Sequence, residues 1–350
     1  MSAPGLADLT AAVLGPLLGT ELTDVVATPV GTGQIGTAYR LALAGPEVGD
    51  RIPTSVLAKL PAADAGSRAL LAGAYRGEIR FYRDIAPTVA IRVPGLVYAS
   101  EVDDDGGFLL VLEDLAPARQ GDQIAGATPA QVRDAVVNLA GLHGPRWCDP
   151  TLLEIEHLTL NGPDDAALLA ELYGPATELF VDGLGALLDD DTIATLRACP
   201  PVVEAWALGR RERFGLVHGD YRLDNLLFPP DLPDQGSASI AVDWQTLSLA
   251  LPARDLAYVV ATSLDAPVRR EVERDLVAAY HHALAGFGVE DHPPELAWED
   301  YRYAMLQGPL VAVFGCAYGT RSERGDAMFA AMVTRACAAV RDLGTLDLIG

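Results

Sequence analysis

The spacing of apolar residues divides the chain into two unlike parts. Over roughly the first 115 residues short alternating stretches dominate, and 25–30, 39–43, 55–60, 96–100 and 108–112 each read as a strand. Asp103-Asp-Asp-Gly-Gly107, between the last two, is a hairpin-turn signal. One helical stripe interrupts the strands: Leu70, Leu71, Ala74, Tyr75, Ile79 and Tyr82 recur every three to four residues and predict a helix over 66–85. The first 20 residues have helical spacing too and are expected to cover this small unit.

Beyond residue 116 the pattern is mainly helical. Thr128 is a good N-cap with Pro129 at the first helical position, and Val132, Ala135, Val136, Leu139 and Leu142 form a core stripe behind it. The stretch 163–214 accommodates two or three more helices, with Asp189-Asp-Asp191 expected to cap one of them. Further helices are expected from Ala253, Pro267, Ala297 and Ser322 onward. The expectation is an α+β chain of two lobes. A small antiparallel-sheet N-lobe with one helix spans 1–115, and a large, mainly helical C-lobe spans 116–350.

Composition narrows the partners. Half the residues are hydrophobic, ample for two cores, and the net charge is −23. Nucleic acid and anionic membrane surfaces are bound by Lys and Arg, so both are set aside as partners. The first basic residue is Arg40, which leaves no charged n-region for a secretory signal. The most apolar stretch, 306–319, is interrupted by Gly and Pro and is too short to span a bilayer. Cys148, Cys199, Cys316 and Cys337 lack metal-type spacing and read as reduced core thiols. A cytoplasmic location is expected. Among 25 basic residues there is a single lysine, Lys59, which marks it as a position where a compact ammonium is needed.

The chemistry concentrates in Leu216-Val-His-Gly-Asp-Tyr-Arg-Leu-Asp-Asn-Leu-Leu-Phe228 and in Ile240-Ala-Val-Asp-Trp244. Each is an apolar run that delivers polar residues to its end. A short hairpin-like insertion, 229–239, separates them. Asp220, Asn225 and the later Asp243 have the layout of a protein-kinase catalytic loop followed by its metal-binding aspartate. In that layout the first Asp takes the substrate hydroxyl proton, while the Asn and second Asp hold Mg²⁺ on the phosphates. Oxygen ligands of this kind suit a hard cation.

Upstream, Gly31-Thr-Gly33-Gln-Ile-Gly36 fits two readings. In a dinucleotide-binding fold it would open a helix, with Asp50 on the ribose. As the tip of a hairpin between two strands it would fold over phosphates instead, and Gly45, Pro46, Gly49 and Pro53 favour the hairpin by breaking any helix. Ser55-Val-Leu-Ala-Lys59 is similar to the Val-Ala-Ile-Lys strand of kinases, and Glu78 on the predicted helix is the candidate ion-pair partner of Lys59. Glu113-Asp-Leu115 ends the fifth strand where a hinge would fall, with Glu113 and Leu115 offering backbone groups to an adenine edge. His143 reads as a core or cap residue, and Asp255 as a brace for the catalytic loop.

Taken in order, Gly31 to Gly36, Lys59, Glu78, Val111-Leu-Glu-Asp-Leu115, His218-Gly-Asp220-x4-Asn225 and Val242-Asp243 resemble the aminoglycoside phosphotransferase family over about 25–265. The wording Tyr-Arg-Leu-Asp-Asn-Leu-Leu-Phe is also similar to kinase domains associated with acyl-CoA dehydrogenases and to ecdysteroid-kinase-like proteins. The resemblance implies a protein-kinase-like fold with ATP and Mg²⁺ as cofactors and a small-molecule hydroxyl as acceptor. Asp220 would be the base, and Asn225 and Asp243 the Mg²⁺ ligands. Lys59 held by Glu78 would meet the α and β phosphates, Gly31, Gly33 and Gly36 would cover them, and His218 would brace the loop. Arg222 would lie near the transferring phosphate or pair with Asp224 or Asp243. Trp244 stands where protein kinases have Phe-Gly, so the resemblance implies a metal loop without that mobile switch.

Glu171, Asp182, Asp189, Glu295, Glu299 and Asp300 are acidic candidates for receiving an amine-bearing acceptor such as an aminoglycoside, although Asp and Glu are abundant throughout the chain and a solvated surface accounts for them better. A hydroxyacyl thioester or another hydrophobic alcohol is the alternative acceptor. A nucleotide-binding module without catalysis is an alternative of another class, as is a dinucleotide-dependent enzyme.

Overall fold

The computed structural model describes residues 5–30, 36–233 and 236–349. These residues form two compact units. The first comprises the described residues of Met1–Pro87, Val93–Pro117 and Asp243–Thr246; the second comprises Thr88–Arg92, Ala118–Val242 and Leu247–Gly350.

In the first unit, α1 (Ala11–Leu18) precedes the strands β1 (Asp24–Val30), β2 (Gly36–Ala44) and β3 (Ser55–Pro61). Then come α2 (Ala65–Arg80), β4 (Leu96–Ala99) and β5 (Leu110–Glu113). The strands form an antiparallel sheet in the order β1-β2-β3-β5-β4. Val25 pairs with Leu43 and Val30 with Ala38, and β2 starts at Gly36, so a paired strand and not a helix follows the glycine motif. That arrangement removes the basis for a dinucleotide-binding reading. The inward face of the sheet buries Leu41, Val56, Ala58 and Val111 completely, with Leu14 and Leu9 of the N-terminal segment packed on it.

The structure amends one helical stripe. Asp64 caps α2 by accepting a hydrogen bond from Ser67 N at 2.7 Å. The buried side chains, however, are Ala72, Tyr75, Glu78 and Ile79, while Leu70 is 86% exposed. Glu78 is a buried charge on the apolar stripe itself, which residue type alone would have placed outside. At Phe81–Ile85 the helix widens into a π-helical turn, so the helical run to Ile85 is not one regular α-helix.

In the second unit, β6 (Arg119–Gln120) leads to α3 (Pro129–His143), α4 (Pro163–Leu184), α5 (Asp190–Ala198) and α6 (Val203–Leu208). Short strands follow: β7 (Gly215–Val217), β8 (Leu226–Phe228), β9 (Ile240–Ala241) and β10 (Ser248–Ala250). The helices α7 (Ala253–Ser263), α8 (Ala266–Ala285), α9 (Pro294–Tyr303), α10 (Gln307–Tyr318) and α11 (Glu323–Leu343) complete it. Thr128 and Gln131 form a reciprocal capping box at the start of α3, and its whole predicted stripe is fully buried. Asp189 caps α5 through Thr192 N at 2.6 Å. β7 pairs with β10, and β8 pairs with both β6 and β9, all antiparallel. These short ladders hold the segment between Val217 and Leu226 at both ends.

All four cysteines are free thiols, and burial pushes Cys199 up to about 12. Among the described residues no helix is long and apolar enough to cross a membrane.

Candidate active site

In the first unit the functional side chains come from three separate pieces of chain. β3 is buried along one face, which leaves Lys59 at its far end pointing along the other. Lys59 Nζ donates to both carboxylate oxygens of Glu78, at 2.6 and 2.7 Å, and lies 3.3 Å from Asp243 Oδ1. Burial alone would lower the pKa of this ammonium, but the adjacent charges of Glu78 and Asp243 win and raise it above the ordinary lysine value. Lys59 is therefore a fixed positive charge, oriented from behind by Glu78.

Asp243 has a left-handed backbone, φ +68°. That conformation is uncommon for a side-chain-bearing residue, though Asp tolerates it better than most, and it turns the carboxylate off the end of the preceding strand. The residues after it are tied to α2. Trp244 is fully buried and stacks on Phe81 of the π-helical turn, with ring centroids 3.6 Å apart and planes 7° apart. Gln245 Nε2 donates to Glu78 Oε2 at 3.3 Å. These contacts explain why Asp243–Thr246 group with the first unit although a division at residue 115 assigns them to the second.

Gly31 and Gly33 lie outside the described residues. Gly36 begins β2, paired with Pro61, and a Cβ there would meet Leu60 O at 2.8 Å, so the close strand alone requires glycine. Glu113 Oε2 accepts from Gly95 N at 3.1 Å, and Leu115 is half-buried just past β5. Their neighbour Asp114 is the anchored residue, held by Arg40 at 2.7 Å and by Ser55 at 2.7 Å.

The second unit carries the Asp-x4-Asn loop. Gly219 has φ +81°, which bends the chain sharply between His218 and Asp220. Asp255 of α7 accepts from His218 N at 2.6 Å and Gly219 N at 3.0 Å, the bracing role expected for it. His218 Nδ1 accepts from Asp220 N at 3.3 Å, so its Nε2 is the donor to Val242 O at 3.0 Å. Val242 N in turn donates to Asn225 O at 3.0 Å. The residue preceding Asp243 is thus pinned to the loop by two hydrogen bonds. His143 is a fully buried residue bonded to Tyr280, 2.7 Å from Nδ1 to the hydroxyl.

Asp220 is held from three sides. Arg222 Nε lies 3.0 and 3.1 Å from its two oxygens, Asn225 Nδ2 donates to Oδ2 at 2.8 Å, and the Tyr258 hydroxyl donates to Oδ1 at 2.9 Å. Arg222 also binds Asp224 at 3.0 Å, so of the two ion pairs considered from sequence the one with Asp224 forms. Asp224 is further held by Arg324 at 3.1 and 3.2 Å and by Gln123 N at 3.0 Å. Burial would raise the pKa of Asp224, yet Arg324, Arg222 and the Gln123 amide bring it below the ordinary carboxylate value. Tyr258, Gln123 and Arg324 were not singled out from sequence. Only Tyr258 left a trace there, one helical turn beyond Asp255.

Each unit offers a side-chain oxygen of the kind that suits a hard divalent cation. Asn225 spends its amide nitrogen on Asp220, leaving Oδ1 as its acceptor, and the Asp243 side chain is 37% exposed. Among the described residues no group of three or more His, Cys, Asp or Glu forms a metal cage.

A small antiparallel sheet with an internal Lys–Glu pair and a mainly helical unit with an Asp-x4-Asn loop make a protein-kinase-like fold of the kind used by small-molecule kinases. The chain belongs to the phosphotransferase enzyme family: the family model described as "APH: Phosphotransferase enzyme family" matches residues 31–297. Solved structures agree on the fold. The choline kinase of Cryptosporidium parvum Iowa II superposes with a TM-score of 0.59 at 9% identity, over 93% of this chain and 91% of that one. The streptomycin-ATP-APH(2")-IIa ternary complex does so with a TM-score of 0.51 at 16% identity, over 85% and 88%. A mouse protein, acyl-CoA dehydrogenase family member 10, is 43% identical over 51 residues. That match spans 15% of this chain and 4% of the mouse protein's length.

Proposed function

We propose that the protein transfers the γ-phosphoryl group of ATP to a hydroxyl of a small molecule. The observation that carries this reading is the assembled Lys59–Glu78 pair beside Asp243. An ammonium locked by a buried carboxylate has no use in a passive core, where an apolar pair would be at least as stable. It suits a site that must hold phosphate oxygens. The two units divide the work as follows. Lys59 meets the α and β phosphates, with Glu78 and Gln245 orienting it, and Gly31, Gly33 and Gly36 cover them. The backbone around Glu113 and Leu115 takes the adenine edge. Asp220 accepts the proton of the acceptor hydroxyl as its oxygen bonds to the γ-phosphorus and ADP leaves. Arg222 holds Asp220 and Asp224 in register. Asn225 and Asp243 are the residues that would hold Mg²⁺, which would neutralise charge on the phosphate oxygens.

For the acceptor, an alcohol carried on an acyl thioester stands beside an amine-bearing alcohol of the aminoglycoside or choline type. Two of the six acidic candidates do not support the amine. Asp300 is fully buried between Arg210, Arg213 and His292, and Asp189 is spent on its helix cap. The local identity to the mouse acyl-CoA dehydrogenase family member favours the thioester.

The test is untargeted. Wild-type protein and Asp220→Asn are incubated with Mg·ATP and a metabolite extract supplemented with kanamycin, choline and 3-hydroxybutyryl-CoA, and phosphorylated products are sought by mass spectrometry. A product made by the wild type and reduced about 10²–10⁴-fold in the variant is expected. Nucleotide binding with no product from any acceptor would favour a regulatory nucleotide-binding module, and no nucleotide binding would end the kinase reading.

A further inference from the structure

Among the described residues, Asp220 has one side-chain donor that its own loop does not supply. Arg222 and Asn225 lie two and five residues along the same segment, so they move with it. The Tyr258 hydroxyl, 2.9 Å from Asp220 Oδ1, comes from α7. Asp255, three residues earlier on that helix and therefore on the same face, takes the His218 and Gly219 amides. One helix face thus holds both the backbone of the loop and the carboxylate it presents.

We propose that Tyr258 is a positioning residue for phosphoryl transfer, fixing the rotation of the Asp220 carboxylate so that it meets the acceptor hydroxyl in one orientation. A carboxylate on a short arm spins about its last bond, and a base must aim a lone pair at one point. Arg222 Nε, shared between both oxygens, constrains the plane loosely, whereas Tyr258 and Asn225 each take a different oxygen. Tyr258 is fully buried, so its ring cannot drift, and Ala257 and Val259 on either side of it are fully buried too. Burial, and then the neighbouring Asp220 charge, raises the pKa of the phenol well above the ordinary tyrosine value, so it remains a donor throughout the working pH range.

This inference rests on the phosphotransferase reading, and the experiment separates the two. Tyr258→Phe keeps the buried ring and removes only the hydroxyl. Transfer from Mg·ATP is followed to whichever of kanamycin, choline or 3-hydroxybutyryl-CoA the wild type accepts, or to water as phosphate release. Expected is a 10- to 100-fold fall in kcat, the worth of one hydrogen bond to a charged group. KM for the acceptor, Kd for Mg·ADP and Tm should be close to wild type. In an Asp220→Asn background the same substitution should have no further effect on rate, because the group it positions is already disabled. A Tyr258→Phe enzyme with wild-type kcat overturns the inference and leaves the phosphotransferase standing. So does a fall in kcat that persists undiminished in the Asp220→Asn background, which would indicate general damage to the fold. A wild type that transfers phosphate neither to water nor to any acceptor in the supplemented metabolite extract overturns both.

Discussion

Asp300, which the sequence offers either as a ligand-facing group or as solvated surface, belongs wholly to the core. Burial would raise its pKa, but hydrogen bonds from His292, Arg213 and Arg210 hold the carboxyl at about 2 against an ordinary 3.8. The unfolded chain therefore binds more protons than the folded one between about pH 4 and pH 2. Stability from this group is complete above about pH 4 and is lost as pH falls through about 2, a loss on the order of 2 kcal/mol. Asp300→Asn should cost about 3–5 kcal/mol at pH 7, because the fully buried Asp300 carboxylate is replaced and the half-buried Arg210 and Arg213 lose the partner they share. It should also flatten the acid limb of a Tm-against-pH curve; an unchanged limb would show that other carboxylates dominate acid unfolding. Lys59, by contrast, was legible at the residue scale, because one lysine in a chain of arginines announced itself.

At the scale of elements, the strands, the hairpin and the capped helices were readable because each rests on local chemistry. Thr128 and Gln131 satisfy each other's end of α3 with no help from distant residues. Thr128→Ala should accordingly cost about 1 kcal/mol in a denaturant titration, with the midpoint lowered and the slope unchanged, while Thr128→Ser should be nearly neutral. α2 was harder. Its periodicity offered Leu70 as core, but the sheet meets the helix on the side of Tyr75 and Ile79 and leaves Leu70 in solvent. The π-helical turn after Arg80 was not legible either. It accompanies the stacking of Phe81 on Trp244, a partner more than 160 residues away in the chain.

For the whole molecule, the charge of −23 is the main collective quantity. Many of its arginines are committed to carboxylates, as in Arg222 with Asp220 and Asp224 or Arg269 with Glu273 and Asp342, so the excess is carried by unpaired acidic side chains. Like charges repel over a Debye length of about 30 Å at 0.01 M salt and about 8 Å at 0.15 M. Raising NaCl across that range should therefore increase Tm by a few degrees. A Tm that falls with salt would mean that the surface ion pairs outweigh the repulsion.

What the sequence determined by itself was what depends on near neighbours: the order of strands and helices, the protein-kinase-like class, and the motif residues Lys59, Glu78, Asp220, Asn225 and Asp243. Their spacing is a property of the chain, so it can be read without coordinates. The tertiary structure alone decided which groups surround them. Tyr258 meets Asp220 across 38 residues, Gln123 and Arg324 meet Asp224 from about 100 residues on either side, and Gln245 reaches Glu78 across 167. Such contacts are selected by packing of whole elements. A tyrosine on a buried helix face has the same local pattern whether its hydroxyl meets a carbonyl or the Asp220 carboxylate, and only the fold distinguishes the two.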